Sequence, residues 1–240
     1  MHENFLYTIV RISRSLKKLA ARPGFFESCE LWRKLSYPDG SFMTEIYERK
    51  FWKDWADYLK TKGNLLLMLN VDWFRPYKHT TYSIGVIYLV ILNLPRTLRF
   101  KPENIIIIGT IPGPNEPKLS INTYLKHLVD ELLQLYTGIC IESSQAKLGI
   151  KTIRVALACI SSDIPATRKV CGFYGFKARH GCSKCMKVFP AESALESTNY
   201  SGFQQEGWPL CDIKTHHSEA LEAKNATSGV DTTRNRCAIF

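Results

Sequence analysis

Two aspartates, Asp72 and Asp163, combine a metal-binding residue type with a position beside an apolar segment. Asp72 lies in the apolar run 64–74, within LLLMLNVDWFRPY, and Asp163 closes the run 150–163. A carboxylate that a strand carries toward the core is costly unless a partner or a cation compensates it. Two carboxylates that face each other repel, which favours a cation between them. Oxygen ligands of this kind suit Mg²⁺ or Mn²⁺, so both residues are candidate ligands for these ions.

Phosphodiester cleavage is the reaction that such a carboxylate pair indicates, because two divalent ions can stabilise both the attacking and the leaving oxygen. The alternative is structural, since each aspartate can instead cap a turn or a helix. Asp163 precedes Ile-Pro-Ala, which is typical of a helix that begins with an aspartate N-cap and an early proline. The residue types alone leave both interpretations open.

A second candidate site is the CxxC pair in RHGCSKCMK, residues 179–187. Cys182 and Cys185 have the spacing of half a zinc site. A thioredoxin-like redox pair is disfavoured, because the motif does not follow the first predicted strand, while two cysteines without a metal remain an alternative. The other zinc ligands would come from His216 and His217, with His180 and Cys211 as alternatives.

The elements that must position the two aspartates form an α/β pattern. Three successive strands predict an antiparallel meander, and the helix that follows predicts a crossover to a fourth strand. In that arrangement the first and fourth strands, which carry the aspartates, can be direct neighbours. The predicted elements are strands at 64–74, 82–92 and 104–111, a helix at 119–138, a strand at 150–163 and a short helix from about Pro165.

The N-terminal region is basic and rich in aromatic residues. Residues 4–21 predict a basic amphipathic helix that RPGF ends, and 44–63 predict a second helix. We interpret the first helix as a packing element with extended lysines, and contact with phosphates is the alternative. The predicted domains are an N-terminal helical region (1–60), a partial α/β core (61–176), a CxxC/His insertion (177–217) and a poorly structured tail (218–240).

Composition narrows the class of protein and of partner. The net charge of +10 and the pI of about 9.2 favour polyanionic partners, nucleic acid first and membrane surfaces second. The eight cysteines are scattered, which does not fit a disulfide framework of a small secreted protein. No signal peptide and no window of about 18 apolar residues is present. We therefore expect an intracellular protein in a reducing compartment, without a membrane partner.

Taken together, several stretches resemble transposases of the CACTA type, also called En/Spm-like elements, and in particular their fungal members. The resemblance covers most of residues 20–225, and its motifs are specific as a set although none is specific alone. The matching stretches are RPGF (22–25), LNVDWFRPY (69–77), YSIGVIYLVILNLPR (82–96), IPGPNEP (111–117), YLKHLVDELLQLYTG (124–138), DIPATRKVCGFYGF (163–176), GCSKC (181–185) and NYSGF (199–203).

The resemblance implies an RNase H-like, retroviral-integrase-like mixed sheet with a DDE/D triad of metal-binding carboxylates. By position, Asp72 resembles the first carboxylate of the triad and Asp163 the second. The implied reaction is Mg²⁺- or Mn²⁺-dependent cleavage of DNA at element ends, by water, followed by strand transfer from the freed 3′-hydroxyl. The implied partners are transposon-end and target DNA and further copies of the chain, and the implied location is the nucleus.

The sequence departs from the family at the third acidic residue, which lies beyond a DPMH-like stretch that is absent here. Glu219, Glu222 and Asp231 do not lie in a matching context. We therefore expect a truncated, incomplete core, and whether it is an enzyme stays open. The alternatives are an unstable pseudogene product and a non-catalytic nucleic-acid-binding module. Its candidate phosphate contacts are Arg75, Lys78, Arg96, Arg99, Lys101, Arg168, Lys169, Lys177, Arg179, Lys184 and Lys187.

Overall fold

A computed structural model describes most of the first three quarters of the chain. Its contacts divide the chain into two compact units, the first formed by 1–116 and 123–162 and the second by 117–122 and 163–240. The described residues are 10–35, 45–114, 116, 121–142, 150–173, 185–188, 208–212, 214–215 and 218.

The N-terminal helix is present in the described part of the segment predicted to form it. Helix α1 (Ile12–Ala20) buries Ile12, Leu16 and Leu19 and leaves its basic residues exposed. The chain then turns at Gly24, whose φ of 78° lies in the left-handed region that glycine adopts most readily. A second short helix, α2 (Phe25–Cys29), begins directly after that turn.

The segment 44–63, predicted as one helix, forms three short helical pieces instead. They are a 3₁₀ turn at Ile46–Glu48, α3 (Lys50–Lys53) and α4 (Ala56–Leu59). Tyr47 and Trp52 are buried against each other, edge to face, with their ring centroids 4.7 Å apart. Packing of these large rings outweighs the local helical preference and interrupts the helix.

In the described residues, six strands and three further α-helices follow, and they confirm most of the predicted elements. In chain order they are β1 (Leu65–Phe74), β2 (Ile84–Ile91), α5 (Arg96–Arg99), β3 (Ile105–Ile111), α6 (Ile121–Thr137), β4 (Ile139–Glu142), β5 (Ile150–Ile153), β6 (Val155–Ile160) and α7 (Ile164–Val170).

The main sheet is mixed, with the strand order β3-β2-β1-β6. Strands β1, β2 and β3 pair antiparallel, and β6 pairs parallel with β1. The predicted meander is therefore confirmed, and so is the prediction that the strand before Asp163 lies beside the strand that carries Asp72.

The predicted strand 150–163 is two strands that belong to different sheets. Strand β5 pairs antiparallel with β4, a short strand that the sequence did not predict, whereas β6 joins the main sheet. Between them, the Arg154 carbonyl accepts a hydrogen bond from the Leu65 N–H, and the Arg154 N–H donates to the Asn64 side chain. These contacts bind the crossing point to the start of β1.

The two faces of β1 differ in polarity and burial. Leu65, Leu67, Leu69 and Val71 are all fully buried on one face. The opposite face becomes progressively more open along the strand, from half-buried Asn70 to exposed Asp72. Alternation of this kind follows from the two-residue period of a strand, and it presents Asp72 to solvent. No helix in the described residues has the length and apolar character needed to cross a membrane.

Candidate functional site

Asp72 lies near the carboxyl end of β1 and is exposed, not buried as its apolar neighbours suggested. Its partner across the antiparallel ladder is Val86 on β2. The ladder with β6 ends earlier, at the pair Leu69 and Ile160. Because Asp72 lies beyond that pair on the open face, its carboxylate reaches solvent and carries little of the desolvation cost of a core position.

Two polar side chains share the open face with Asp72. Asn70 precedes it by two residues on β1 and lies opposite Tyr88 on β2. Burial, and then the negative charge of Asp72, raise the pKa of Tyr88, so its hydroxyl stays protonated and can donate. Among the described residues, the buried Asn70 Nδ2 has no hydrogen-bond acceptor. Neither Asn70 nor Tyr88 was predicted from the sequence as a site residue, although the two-residue spacing from Asp72 was a usable signal for Asn70.

Asp163 begins the second segment of the second unit, 163–240, and is the N-cap of α7. Its Oδ1 accepts a hydrogen bond of 2.7 Å from the Ala166 N–H, which confirms the capping interpretation. The side chain is exposed, and within the described residues its Oδ2 accepts no hydrogen bond. Capping therefore occupies one oxygen of the carboxylate and leaves the other able to bind a ligand.

Inside the first unit, the chain stays beside β1 after β6 has ended. The Ser161 N–H donates to the Leu69 carbonyl at 2.9 Å. The Ser162 Oγ accepts a hydrogen bond from the Val71 N–H, also at 2.9 Å. Val71 and Ser162 are the residues that immediately precede Asp72 and Asp163. The sequence signal for this contact is the position of each aspartate just after a strand-forming run.

The donor chemistry of the two aspartates fits a hard divalent cation, because both offer carboxylate oxygens. Asp72 has no hydrogen bond or ion pair among the described residues that would compete with a metal. Over the same part of the chain, no three His, Cys, Asp or Glu side chains gather closely enough to hold a metal ion. Glu219, Glu222 and Asp231 lie outside the described residues.

The CxxC region is described only in part. Cys185 is buried and forms an isolated antiparallel bridge with Leu210, which places its backbone opposite the residue before Cys211. The bridge therefore brings the backbone of Cys211, named above as an alternative zinc ligand, close to that of Cys185. Cys182, His180, His216 and His217 lie outside the described residues.

Among the candidate phosphate contacts, the prediction for Arg99 is wrong. Its side chain is 4% exposed, and its guanidinium donates to Glu45 Oε2 at 2.8 Å and to the Leu94 carbonyl at 3.0 Å. A buried and paired guanidinium cannot reach a nucleic acid. Arg168 and Lys169 are half-buried, Arg75, Lys78, Arg96 and Lys101 are exposed, and Lys177, Arg179 and Lys184 lie outside the described residues. The Lys187 Nζ lies over the Trp208 ring, 4.2 Å from the ring centroid.

One comparison with known proteins bears on these positions. The family model described as transposase family tnp2 matches residues 42–224, about three quarters of the chain. The matched segment contains Asp72, Asp163 and the CxxC pair, and it begins after α1 and α2. No curated protein matches the chain significantly.

Proposed function

The chain belongs to the tnp2 transposase family, and from this premise we propose that it forms part of a CACTA-type DDE/D transposase core of the fungal kind. The proposed activity is divalent-metal-dependent cleavage of DNA at transposon ends, followed by strand transfer. We further propose that it works in the nucleus, on transposon-end and target DNA, as an assembly of several copies. The family supports an interaction with DNA in general.

An RNase H-like fold is the architecture we propose for the core. Its support is the strand order β3-β2-β1-β6, with an antiparallel meander and a parallel fourth strand beside the first. In open sheets that contain parallel strands, functional side chains collect beyond the carboxyl ends of those strands. Asp72 lies near the carboxyl end of β1, and Asp163 follows β6 by three residues.

The observation that carries the proposal is the hydrogen bond between the Val71 N–H and the Ser162 Oγ. It joins the residue before Asp72 to the residue before Asp163, inside one unit. We assign both carboxylates as ligands of Mg²⁺ or Mn²⁺, Asp72 with its solvent-exposed oxygens and Asp163 with Oδ2. The bound ions would activate the attacking oxygen and stabilise the leaving oxygen of the phosphodiester.

The chain's own contribution is to position these oxygens. The β1–β2 ladder holds the backbone of Asp72, and the hydrogen bond to Ala166 holds the rotamer of Asp163. A carboxylate whose orientation is set before the ion arrives loses less side-chain entropy on binding. The Tyr88 hydroxyl, on the same face as Asp72, is available to donate to an oxygen ligand there.

We also propose a structural zinc site at the CxxC motif, with Cys182 and Cys185 as ligands. His216 and His217 are the proposed downstream ligands. Cys211 is the alternative that the bridge between Cys185 and Leu210 favours. Thiolate and imidazole ligands at this spacing suit tetrahedral Zn²⁺.

The test of catalysis is nicking of a duplex that carries the element ends, measured with Mg²⁺, with Mn²⁺ and in EDTA. Nicking with either metal that is lost in Asp72→Asn would support catalysis by this chain. Asp54→Asn, which alters an exposed carboxylate on another element, serves as the matched control and should leave nicking unchanged. If purified chain never nicks the duplex at any metal concentration, catalysis by this chain is excluded.

A second candidate function is a non-catalytic nucleic-acid-binding module, which the net charge of +10 favours. Such a module would bind duplex DNA in EDTA as well as in Mg²⁺, because lysine and arginine contacts to phosphates need no metal. Binding that is identical in wild type and Asp72→Asn, together with no nicking, would select this function over catalysis.

A further inference from the structure

Helix α1 has a basic face that no part of the proposed metal site uses. Arg14, Lys17 and Lys18 are exposed on this nine-residue helix, and Arg11 precedes it. The helix contains no acidic residue. Among the described residues, none of the four cations forms an ion pair with a carboxylate. Within the described residues, the face is therefore a concentrated patch of positive charge that no carboxylate pairs with.

The patch borders a recess in the surface. A cavity of about 530 Å³ is lined, among the described residues, by α1 and its flanking residues alone, namely Arg11, Ser13, Arg14, Lys17, Lys18 and Ala21. Arg14 and Lys18 are four residues apart and project from neighbouring turns on one side of the helix. At 1.5 Å per residue, the distance from Arg11 to Lys18 is roughly 10 Å along the axis, a length over which duplex DNA presents several phosphates.

The orientation of this face is set by packing on the other side of the helix. Ile12, Leu16, Leu19 and Ala20 are at most 4% exposed. At the N-terminus of α1, Glu131 of α6 accepts hydrogen bonds from the backbone of Ile12 and from Ser13. Helix α1 and Glu131 both lie in the first unit, so the helix cannot rotate its cations inward without losing these contacts.

Acidic groups line the cavity next to this recess. A neighbouring cavity of about 510 Å³ has Asp130 and Glu131 in its wall, together with Arg11 and Ser13. Glu131 is occupied by the N-terminus of α1, and Asp130 pairs with Lys126 at 2.6 Å. Of the four cations, Arg11 lines this acidic cavity and the other three do not, so the part of the face away from these carboxylates is formed by Arg14, Lys17 and Lys18.

We propose that this α1 face, defined by Arg14, Lys17 and Lys18, docks the phosphate backbone of double-stranded DNA. The inference rests on the family's action on DNA and goes beyond the proposed metal site, because α1 precedes the matched segment 42–224. A membrane surface is disfavoured as the partner, since the apolar side of α1 is already buried and has nothing to insert. Single strands are disfavoured because the exposed side offers no aromatic ring for stacking.

The experiment measures binding of the whole chain to a fluorescent duplex of random sequence, by anisotropy, across a series of salt concentrations in EDTA. Each phosphate contact contributes about −0.9 to the slope of log K against log salt. Replacing all three cations (Arg14→Gln, Lys17→Gln, Lys18→Gln) should therefore make the slope shallower by roughly 2.7. A double variant that keeps the charge, Lys17→Arg with Lys18→Arg, should retain the wild-type slope.

The matched control removes three exposed cations elsewhere in the first unit: Lys50→Gln, Lys53→Gln and Lys62→Gln. It has the same change in net charge and should shift the slope by less than about one contact. An unchanged slope in the α1 variant overturns the proposal, and so does an equal loss in the control. The proposal is also overturned if the α1 variant loses binding to phosphatidylserine vesicles but keeps binding to the duplex. EDTA makes the result independent of the metal site, so failure here and failure of the nicking assay are distinguishable.

Discussion

The attachment of α1 to α6 through Glu131 gives a prediction whose size follows from the geometry. The Glu131 carboxylate accepts hydrogen bonds from the Ile12 N–H at 2.8 Å, the Ser13 N–H at 3.0 Å and the Ser13 Oγ–H at 2.7 Å. Arg11, at the N-cap position, makes no side-chain capping bond. A residue 119 positions away in sequence therefore supplies the N-terminal cap that α1 lacks locally.

Replacement of Glu131 by alanine should destabilise the first unit by about 2 kcal/mol. Loss of a local N-cap costs roughly 0.5–2 kcal/mol, and each hydrogen bond to a charged group contributes about 1.5–3 kcal/mol. The three donors are only partly buried, so water replaces part of the loss and the total stays well below the sum. Glu131→Gln, which keeps one acceptor and loses the charge, should cost about half as much.

The assay is urea unfolding, with the free energy of unfolding compared at constant m-value. The matched control is Asp130→Ala, which removes a carboxylate one residue earlier on the same helix. Its pair with Lys126 is exposed, so a change below about 0.5 kcal/mol is expected. In a double-mutant cycle, Ser13→Ala and Glu131→Ala should couple by more than about 0.5 kcal/mol. A Glu131→Ala cost no larger than that of the control would refute the capping argument.

Two further predictions concern Gly85 on β2 and the ion pair between Glu45 and Arg99 of α5. In Gly85→Ala, the added Cβ would lie 2.8 Å from Trp73 Nε1. The variant should therefore have a free energy of unfolding that is lower by about 1–3 kcal/mol, measured by urea unfolding. Unchanged stability would mean that the indole ring moves aside freely. Although burial raises the pKa of Glu45, the Arg99 hydrogen bond and backbone donors hold it below its ordinary value of 4.5. The stability that the Glu45 charge contributes is then complete above pH 4.5 and is lost as the pH falls through the lowered pKa. The free energy of unfolding of wild type and of Glu45→Gln should be measured across pH 3–7. The difference between the two should become smaller below about pH 4.5, and a difference that grows there would contradict the ion pair.

The main sheet could be predicted from the sequence because its strands are long apolar runs rich in β-branched residues. The meander followed from three runs without an intervening helix, and the neighbourhood of the first and last strands followed from the crossover. The break between β5 and β6 could not be predicted, since Arg154 interrupts the run by only one residue. Its role depends on a contact with Asn64 that lies 90 positions away. Strand β4 was missed because it has only four residues and lies close after α6.

The helical pieces of 44–63 show where local pattern and tertiary packing disagree. The sequence of this segment predicted one helix, but Trp32 packs edge to face on Trp52, with 5.2 Å between the ring centroids. Burying rings from separate segments in one cluster with Leu66 and Leu92 favours a broken path for the chain. No local pattern encodes that cluster, because its members come from five separate parts of the sequence.

For the candidate site, the sequence identified the residue types and the strands but not the exposure. The apolar run around Asp72 indicated a buried or half-buried carboxylate. In the structure, Asp72 lies on the open face, beyond the end of the β1–β6 ladder. The position of that end depends on the register between the two strands, which the sequence of one strand does not specify. The N-cap role of Asp163, by contrast, was readable from Ile-Pro-Ala alone, because capping is local.

The most direct test of whether Asp72 and Asp163 hold a metal ion is Mn²⁺ binding to the purified chain, monitored by electron paramagnetic resonance. Asparagine caps a helix about as well as aspartate, so Asp163→Asn removes the charge of the ligand without removing the cap of α7. We predict that Asp72→Asn and Asp163→Asn each weaken Mn²⁺ binding by at least roughly tenfold, while Asp54→Asn binds as wild type does. Wild-type affinity in both Asp72→Asn and Asp163→Asn would show that these two carboxylates are not the metal ligands.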